Sequence, residues 1–483
     1  MYLGLDLGTS GLKALLLDAE GRVLDSAEAG YPTARPHPGW SEQNPADWLA
    51  ALNAAVAALR ARRGAELARL CAIGVSGQMH GAVLLDKAGQ VLRPAILWND
   101  SRAECEAAFL DRQAGVRETT ANPVFAGFTA PKLRWLANAE PNVFAAVATV
   151  FLPKDYLVCS LCGARVSDLS DASGTSWLDM ATLEWSEPML GLSGMTRRQM
   201  PKLVHAAEVV GTLRPAVATA LGVPKGVAVV AGAADNAAAA CGAGVIDDGA
   251  GLASLGTSGV VMLARERRTP DPARAVHLFC HALPGRWIQM GVILSATDSL
   301  NWLARLLGQS AEALAGQLKS PPDGPGRLRF LPYLSGERTP HNDSTVRGAF
   351  FGLDVGDEAR DLTRAVMEGV AFGLRDSLEA LRQSGARPTR LLATGGGSRS
   401  DFWLQTLANI LDLPLDLPRD AAAGAALGAA RLAMLGHLGG AAGAIMTAPR
   451  IAGCVEPDPR LRGAYDNAYQ QFRKIYPAMR DIL

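Results

Sequence analysis

Leu3, Leu5 and Leu7 alternate with Gly4, Asp6 and Gly8, a period of two that predicts a half-buried strand with Asp6 turned away from the leucine face. Gly8-Thr9-Ser10-Gly11 reads as a turn, residues 12–17 as a second strand, and Asp18-Ala19-Glu20-Gly21 as another turn leading into Val23-Leu24. The chain is therefore expected to open as an antiparallel meander. Apolar runs at 72–76, 83–85 and 227–231 predict short buried strands, separated by helical stretches such as 45–61; that mixture argues α/β or α+β. Further on, Leu362, Val366, Val370, Leu374, Leu378 and Leu381 recur at three- and four-residue spacing, the stripe of an amphipathic helix ending near Gly385. The small-residue run 424–430 suits a closely packed helix, and Pro321-Pro322-Asp323-Gly324-Pro325-Gly326 is a loop by composition.

Two internal echoes change this picture. Leu7-Gly8-Thr9-Ser10-Gly11 recurs as Leu255-Gly256-Thr257-Ser258-Gly259, each copy followed by an apolar strand. More weakly, Ile73-Gly74-Val75-Ser76-Gly77 pairs with Leu391-Leu392-Ala393-Thr394-Gly395-Gly396-Gly397, again a strand ending in small residues. Both echoes respect one boundary near Asp247-Asp248-Gly249, where turn residues cluster. Two similar domains, 1–246 and 247–483, are expected, with a cleft shared between them.

Composition then removes several function classes. The chain has 483 residues, 49% of them hydrophobic and 19% charged, so it is a folded protein too long for one ordinary core. Lys+Arg and Asp+Glu both total 47, leaving no net positive field for a nucleic-acid backbone. The seven cysteines are an odd number scattered along the chain, which fits reduced thiols and a cytoplasmic location. The N-terminus enters a strand pattern at once, with no targeting signal. The most apolar stretch, 226–246, holds Asp235 and Asn236 at its middle, which reads as buried soluble core rather than a membrane span.

A tight glycine- and hydroxyl-rich turn between strands presents N–H groups and hydroxyls to an anion, and two such turns suit one polyphosphate. The copies differ at one telling place, since Asp6 aligns with Ser254; a single carboxylate beside phosphate oxygens is enough to orient Mg²⁺. Lys13 follows the first turn and is a candidate for added positive charge there. No Walker-type or dinucleotide fingerprint is present. Asp235 falls between an apolar strand and an alanine-rich helix, and reads either as an N-cap or as a general base for a substrate hydroxyl. Gln78-Met79-His80 ends a predicted strand, with His80 a candidate donor to a sugar hydroxyl or a structural histidine. Trp98-Asn99-Asp100-Ser101-Arg102 suits a polyol site or a capped helix start. Cys159 and Cys162 have half-zinc spacing without a second pair.

Asp6-Leu7-Gly8-Thr9-Ser10, the second turn at 255–259 and Gly395-Gly396-Gly397-Ser398 together resemble the FGGY family of carbohydrate kinases, members of the actin-like ATPase superfamily. Pro131-Lys132-Leu133-Arg134-Trp135-Leu136 and Gly348-Ala349-Phe350-Phe351-Gly352-Leu353 look like that family's two signature regions, the first departing from it at Ala139. Arg35-Pro36-His37-Pro38, Trp40-Ser41-Glu42-Gln43, Gly77-Gln78-Met79-His80-Gly81, Ala95-Ile96-Leu97-Trp98-Asn99-Asp100, Pro153-Lys154-Asp155-Tyr156 and the segment 333–341 are similar to its bacterial members acting on D-xylulose; Met79-His80 stands where glycerol kinases carry Arg-Glu.

The resemblance implies an α/β fold of two actin-like (ribonuclease H-like) domains facing a central cleft, and ATP-dependent phosphorylation of D-xylulose. It implies Asp235 as catalytic base, Asp6 at the Mg²⁺-ATP centre, and Gln78, Met79, His80, Trp98, Asp235 and Asn236 on the sugar. ATP would meet Gly8, Thr9, Ser10, Lys13, Gly256, Thr257 and Ser258 with its phosphates, and Gly396, Gly397 and Ser398 with its adenosine. A kinase for another ketose or polyol and an actin-like ATPase switch are the alternatives; no nucleic-acid or membrane partner is expected, and a homodimer stays open. Relatives carry glycines where this chain has Ala233 and Ala234, which would be strained if the turn needs positive φ there.

Overall fold

Tyr2–Leu7 (β1), Gly11–Leu17 (β2) and Val23–Gly30 (β3) form the antiparallel meander that the alternation predicts. In the computed structural model, which describes residues 1–419 and 424–480, this meander is one half of a sheet. A helix over Pro45–Leu67 (α1) leads to Ala72–Gly77 (β4), which runs parallel to β1. The chain then adds helices Pro153–Cys162 (α2) and Leu169–Ala172 (α3), an edge strand Val209–Thr212 (β5), and Ala228–Val230 (β6), parallel to β4. Ala233–Ala234 (β7) pairs with the end of β4 and passes directly into Asp235–Gly242 (α4). The strand order β5-β6-β4-β1-β2-β3, with an antiparallel meander on one side and, on the other, parallel strands β4 and β6 closed by the antiparallel edge strand β5, is the ribonuclease H-like arrangement. Helix α1 runs past the expected 61 to Leu67, whose buried side chain anchors its last turn.

Strand β1 is buried on both faces, not on one as the alternation alone suggests. Leu3, Leu5 and Leu7 pack into an apolar cluster with Trp48, Leu52 and Val56 of α1. The opposite face is covered by the helix Gly424–Leu438, the segment whose small residues predicted close packing. Gly4 and its register neighbour Gly74 allow the approach, since a Cβ on either would stand 1.9 Å from the carbonyl oxygen of Ala426 or Ala429. From that helix the buried Arg431 guanidinium donates to the carbonyls of Cys241 and Gly242, satisfying acceptors that the end of α4 leaves unpaired.

The unit built on this sheet comprises residues 1–246, 279–287 and 422–448. The chain thus returns twice to it after Asp247, the second time to close the glycine face of β1 and β4 with a helix remote in sequence.

The second unit, 247–278, 288–421 and 449–483, repeats the plan. Gly251–Leu255 (β8) and Gly259–Arg265 (β9) form an antiparallel hairpin; Leu391–Thr394 (β10) runs parallel to β8, Leu415–Pro418 (β11) parallel to β10, and Ile451–Val455 (β12) antiparallel to β11. Both echoes in the sequence therefore occupy equivalent places: the LGTSG copies are the first hairpin turns, and the second pair are the parallel neighbours of the first strands. The helix Ala359–Gln383 buries Val366, Val370, Leu374, Leu378 and Leu381 in this unit's own core. Among the described residues no helix is long and apolar enough to cross a membrane.

Candidate active site

Asp235 stands at the junction of β7 and α4 in the first unit. The left-handed residue of this junction is Gly232, with φ 76°, where a Cβ would lie 1.8 Å from the carbonyl oxygen of Val75. Ala233 and Ala234 lie after it in β7, outside the left-handed region, so the strain expected from alanine at these positions does not arise. Asp235 is the first residue of α4 and not its cap; the cap position is Ala234, which has no side-chain acceptor. Its own Oδ1 accepts from the N–H of Asn236 at 2.6 Å. Burial, and secondarily the Asp6 carboxylate, push the Asp235 carboxyl up to about 7 against that hydrogen bond, into the range a base needs near neutrality.

Asp6 faces the same region from β1. Burial raises its carboxyl to about 6, with Ser76 and Lys13 pulling the other way. Its Oδ1 is buried without a hydrogen-bond partner among the described residues. An orphaned buried carboxylate oxygen fits a cation, and no group of three or more His, Cys, Asp or Glu among the described residues could hold a metal by itself. A lone carboxylate of this kind is compatible with a hard cation whose other ligands are phosphate oxygens and waters. Lys13, opposite Asp6 in the β1–β2 register, pairs with Glu28 at 3.1 Å.

At the end of β4, Gln78 and Met79 are buried, and His80 adopts φ 68°. Met79 Sδ lies 3.6 Å from Asn236 Nδ2, which brings the Met79–His80 pair beside Asp235–Asn236. The His80 ring stacks on Phe128 with centroids 4.4 Å apart, and its Nδ1 lies 2.7 Å from the carbonyl oxygen of Gly174. A carbonyl only accepts, so His80 Nδ1 is the donor in that contact. Gly174 makes room for this pair, since a Cβ there would meet the His80 ring at 2.5 Å and Met79 Cε at 2.9 Å.

The turn at Gly8, Thr9 and Ser10 is wired to the same side chains. The Gly8 N–H closes the hairpin on Gly11 O at 3.0 Å, so that donor is spent within the turn. Trp98, 44% exposed, donates its indole N–H to Thr9 Oγ1 at 2.9 Å, and Thr9 Oγ1 lies 3.4 Å from Gln78 Oε1. Asp100 and Arg102, the remaining charges of that motif, form a buried ion pair at 2.7 Å, and Asp100 accepts from Ser41 N. They hold the segment 98–102 against Ser41 and Trp40 and do not cap a helix. Cys159 and Cys162 are free thiols on α2.

In the second unit, Gly256, Thr257 and Ser258 form the β8–β9 turn, whose Gly256 and Thr257 carbonyls accept from Thr297 N at 2.9 Å and Ala296 N at 2.8 Å. Gly396, Gly397 and Ser398 lie in a short 3₁₀ turn after β10. A Cβ on Gly397 would stand 2.8 Å from Leu255 Cβ, so this turn lies against the end of β8.

Sequence reasoning missed a buried charge cluster beneath Asp235: Lys154 and Asp155 from α2, Asp168, and Asp171 from α3. Neither Asp171 oxygen has a hydrogen-bond partner among the described residues, and burial holds its carboxyl well above the usual range. Two adjacent charges inside the apolar stretch 151–161 were the available signal.

Residues 1–242 match the N-terminal domain of the FGGY family of carbohydrate kinases, and residues 251–437 match its C-terminal domain. The chain is 43% identical to a xylulose kinase of Escherichia coli (strain K12), with all of both chains covered. Its fold superposes on a crystal structure titled as a xyloylose kinase from Brucella ovis with a TM-score of 0.98, at 48% identity and full coverage of both chains. A xylulose kinase from Rhodospirillum rubrum gives a TM-score of 0.91 at 32% identity, covering 100% of this chain and 99% of that one. Two matched domains, full-length relatives and two actin-like α/β units lead to one conclusion: the chain belongs to the FGGY family of carbohydrate kinases.

Proposed function

We propose that this chain transfers the γ-phosphoryl group of ATP to the terminal hydroxyl of D-xylulose, giving ADP and D-xylulose 5-phosphate, with Asp235 as general base. The observation that carries this reading is the meeting of Asp235–Asn236 with Met79–His80 around a buried carboxyl raised to about 7, in a chain whose full-length relatives are named xylulose kinases. Asp235 takes the hydroxyl proton as the oxygen attacks the γ-phosphorus. Asn236 and His80 orient the sugar, and Gln78 and Trp98 border it on the side of the Thr9 turn. In the first unit Gly8, Thr9, Ser10 and Lys13 are assigned to the phosphates; in the second, Gly256, Thr257 and Ser258 form the equivalent turn, and Gly396, Gly397 and Ser398 are assigned to the adenosine. Mg²⁺, when bound, neutralises charge developing on the transferred group, and Asp6 is the residue that would hold it. The ATP requirement and seven thiols kept reduced suit the cytoplasm.

The test is ADP release with Mg-ATP and a panel of D-xylulose, D-ribulose, L-ribulose, D-fructose, gluconate and glycerol, run beside Asp235→Ala. Selective turnover of D-xylulose that collapses in the variant is expected. Turnover of another sugar would overturn the substrate, and sugar-independent hydrolysis unaffected by Asp235→Ala would overturn the kinase reading.

A further inference from the structure

The motif Pro153-Lys154-Asp155-Tyr156 carries two adjacent charges into the buried start of α2, where Lys154 is 0% and Asp155 1% exposed. An ammonium is placed in such surroundings only when it is paired, so its partners are informative. Lys154 Nζ lies 2.5 Å from Asp155 Oδ1 and 3.1 Å from Asp168 Oδ1, and donates to the carbonyl oxygen of Ala231 at 3.3 Å. The other oxygen of Asp168 accepts from both the N–H and the hydroxyl of Ser170. Ser170 Oγ in turn accepts from the N–H of Ala234 at 3.0 Å.

One buried chain of polar contacts therefore grips the segment 231–234 at both ends, Lys154 at Ala231 and Ser170 at Ala234. Between those grips lie left-handed Gly232 and the two-residue strand β7; immediately after them comes Asp235. What the cluster touches is the backbone that delivers the base.

We infer that Lys154, Asp168 and Ser170 are positioning residues that aim Asp235 at the sugar hydroxyl and act on phosphoryl transfer only through it. This rests on Asp235 being the base. Removing the Ser170 hydroxyl leaves the Ala234 N–H without its buried acceptor and Asp168 short of a donor, which frees the segment to shift. A displacement of about 1 Å at a reacting group costs on the order of 10²-fold in rate, whereas the binding contacts of sugar and nucleotide stay in place. A merely structural role would instead lower stability without separating kcat from KM.

The experiment uses the full-length protein, with Ser170→Ala and Asp168→Asn assayed by ADP release against D-xylulose and Mg-ATP beside Asp235→Ala. Each positioning variant is expected to lower kcat by about tenfold or more while both KM values stay within about twofold. Adding Ser170→Ala to Asp235→Ala is expected to lower the remaining rate less than about twofold, since two residues acting as a unit are not additive. A kcat within about twofold of the parent in both variants, with or without a lower melting temperature, overturns the inference. If one variant fails to fold, the other decides by the same readout. A parent-like rate in Asp235→Ala would overturn the base assignment itself, a result distinct from parent-like positioning variants beside an inactive Asp235→Ala.

Discussion

Gln43 donates a side-chain N–H to the carbonyl oxygen of Thr9 at 2.6 Å, tying the first glycine turn to the core of its unit. Its second amide hydrogen reaches Thr33 Oγ1 at 2.8 Å, and its oxygen accepts from Trp48 Nε1 and Gln78 Nε2, both at 3.0 Å. All four hydrogen-bonding positions of the amide are used, on a residue 2% exposed. Gln43→Leu leaves two buried donors without an acceptor, at about 1–3 kcal/mol each, and releases the Thr9 carbonyl. We expect a lower melting temperature and a KM for Mg-ATP that rises more than the KM for sugar. Thermal melts and initial-rate kinetics check this.

A base with a carboxyl raised to about 7 is protonated, and idle, below that pH. The logarithm of kcat/KM for the sugar is therefore expected to fall with a slope near one below about pH 7. A profile flat down to pH 5 would contradict the assignment of Asp235.

The same carboxyl sets a stability trend of definite sign. Its folded-state value of about 7 lies above its unfolded value of 3.8, so its contribution is fully present below the unfolded value and is lost as pH rises through about 7. Asp235→Asn removes a charge that is costly to bury, and its melting temperature should exceed the parent's by a few degrees at pH 8. The margin should shrink toward pH 5. An unchanged or widening difference on acidification would refute the argument, and the variant should be inactive at every pH.

Gly174→Ala places a methyl group 2.5 Å from the His80 ring and 2.9 Å from Met79 Cε, so both side chains must move. The KM for sugar is expected to rise about tenfold or more, equivalent to ~1.4 kcal/mol of lost binding, with the KM for Mg-ATP nearly unchanged. Equal effects on both substrates would show that the His80–Met79 pair does not serve the sugar.

Gly74→Ala meets backbone, which cannot rotate away: the new Cβ would lie 1.9 Å from Ala429 O. The helix Gly424–Leu438 must lift from β4, and we expect destabilisation of about 3 kcal/mol or more, read as a large fall in melting temperature or loss of soluble protein.

Several features of this protein belong to the sequence alone. Alternation at Leu3, Leu5 and Leu7 determines β1, because a strand's side chains have a period of two. The duplicated Leu-Gly-Thr-Ser-Gly determines that two units share one plan, and the polar pair Asp235–Asn236 inside an apolar run marks a place where burial must be compensated or used. Other features exist only in the fold. The second covered face of β1 depends on a helix more than 400 residues away in sequence, admitted by Gly4 and Gly74. The donor role of His80 Nδ1 depends on the carbonyl of Gly174, and the left-handed position falls on Gly232, not on the alanines after it. The grip on residues 231–234 brings together Lys154 and the separate segment that holds Asp168 and Ser170. Local pattern specifies which backbone conformations a segment favours; hydrogen bonds and burial between distant segments are set by packing, and they decide where a charge is held and what it can do.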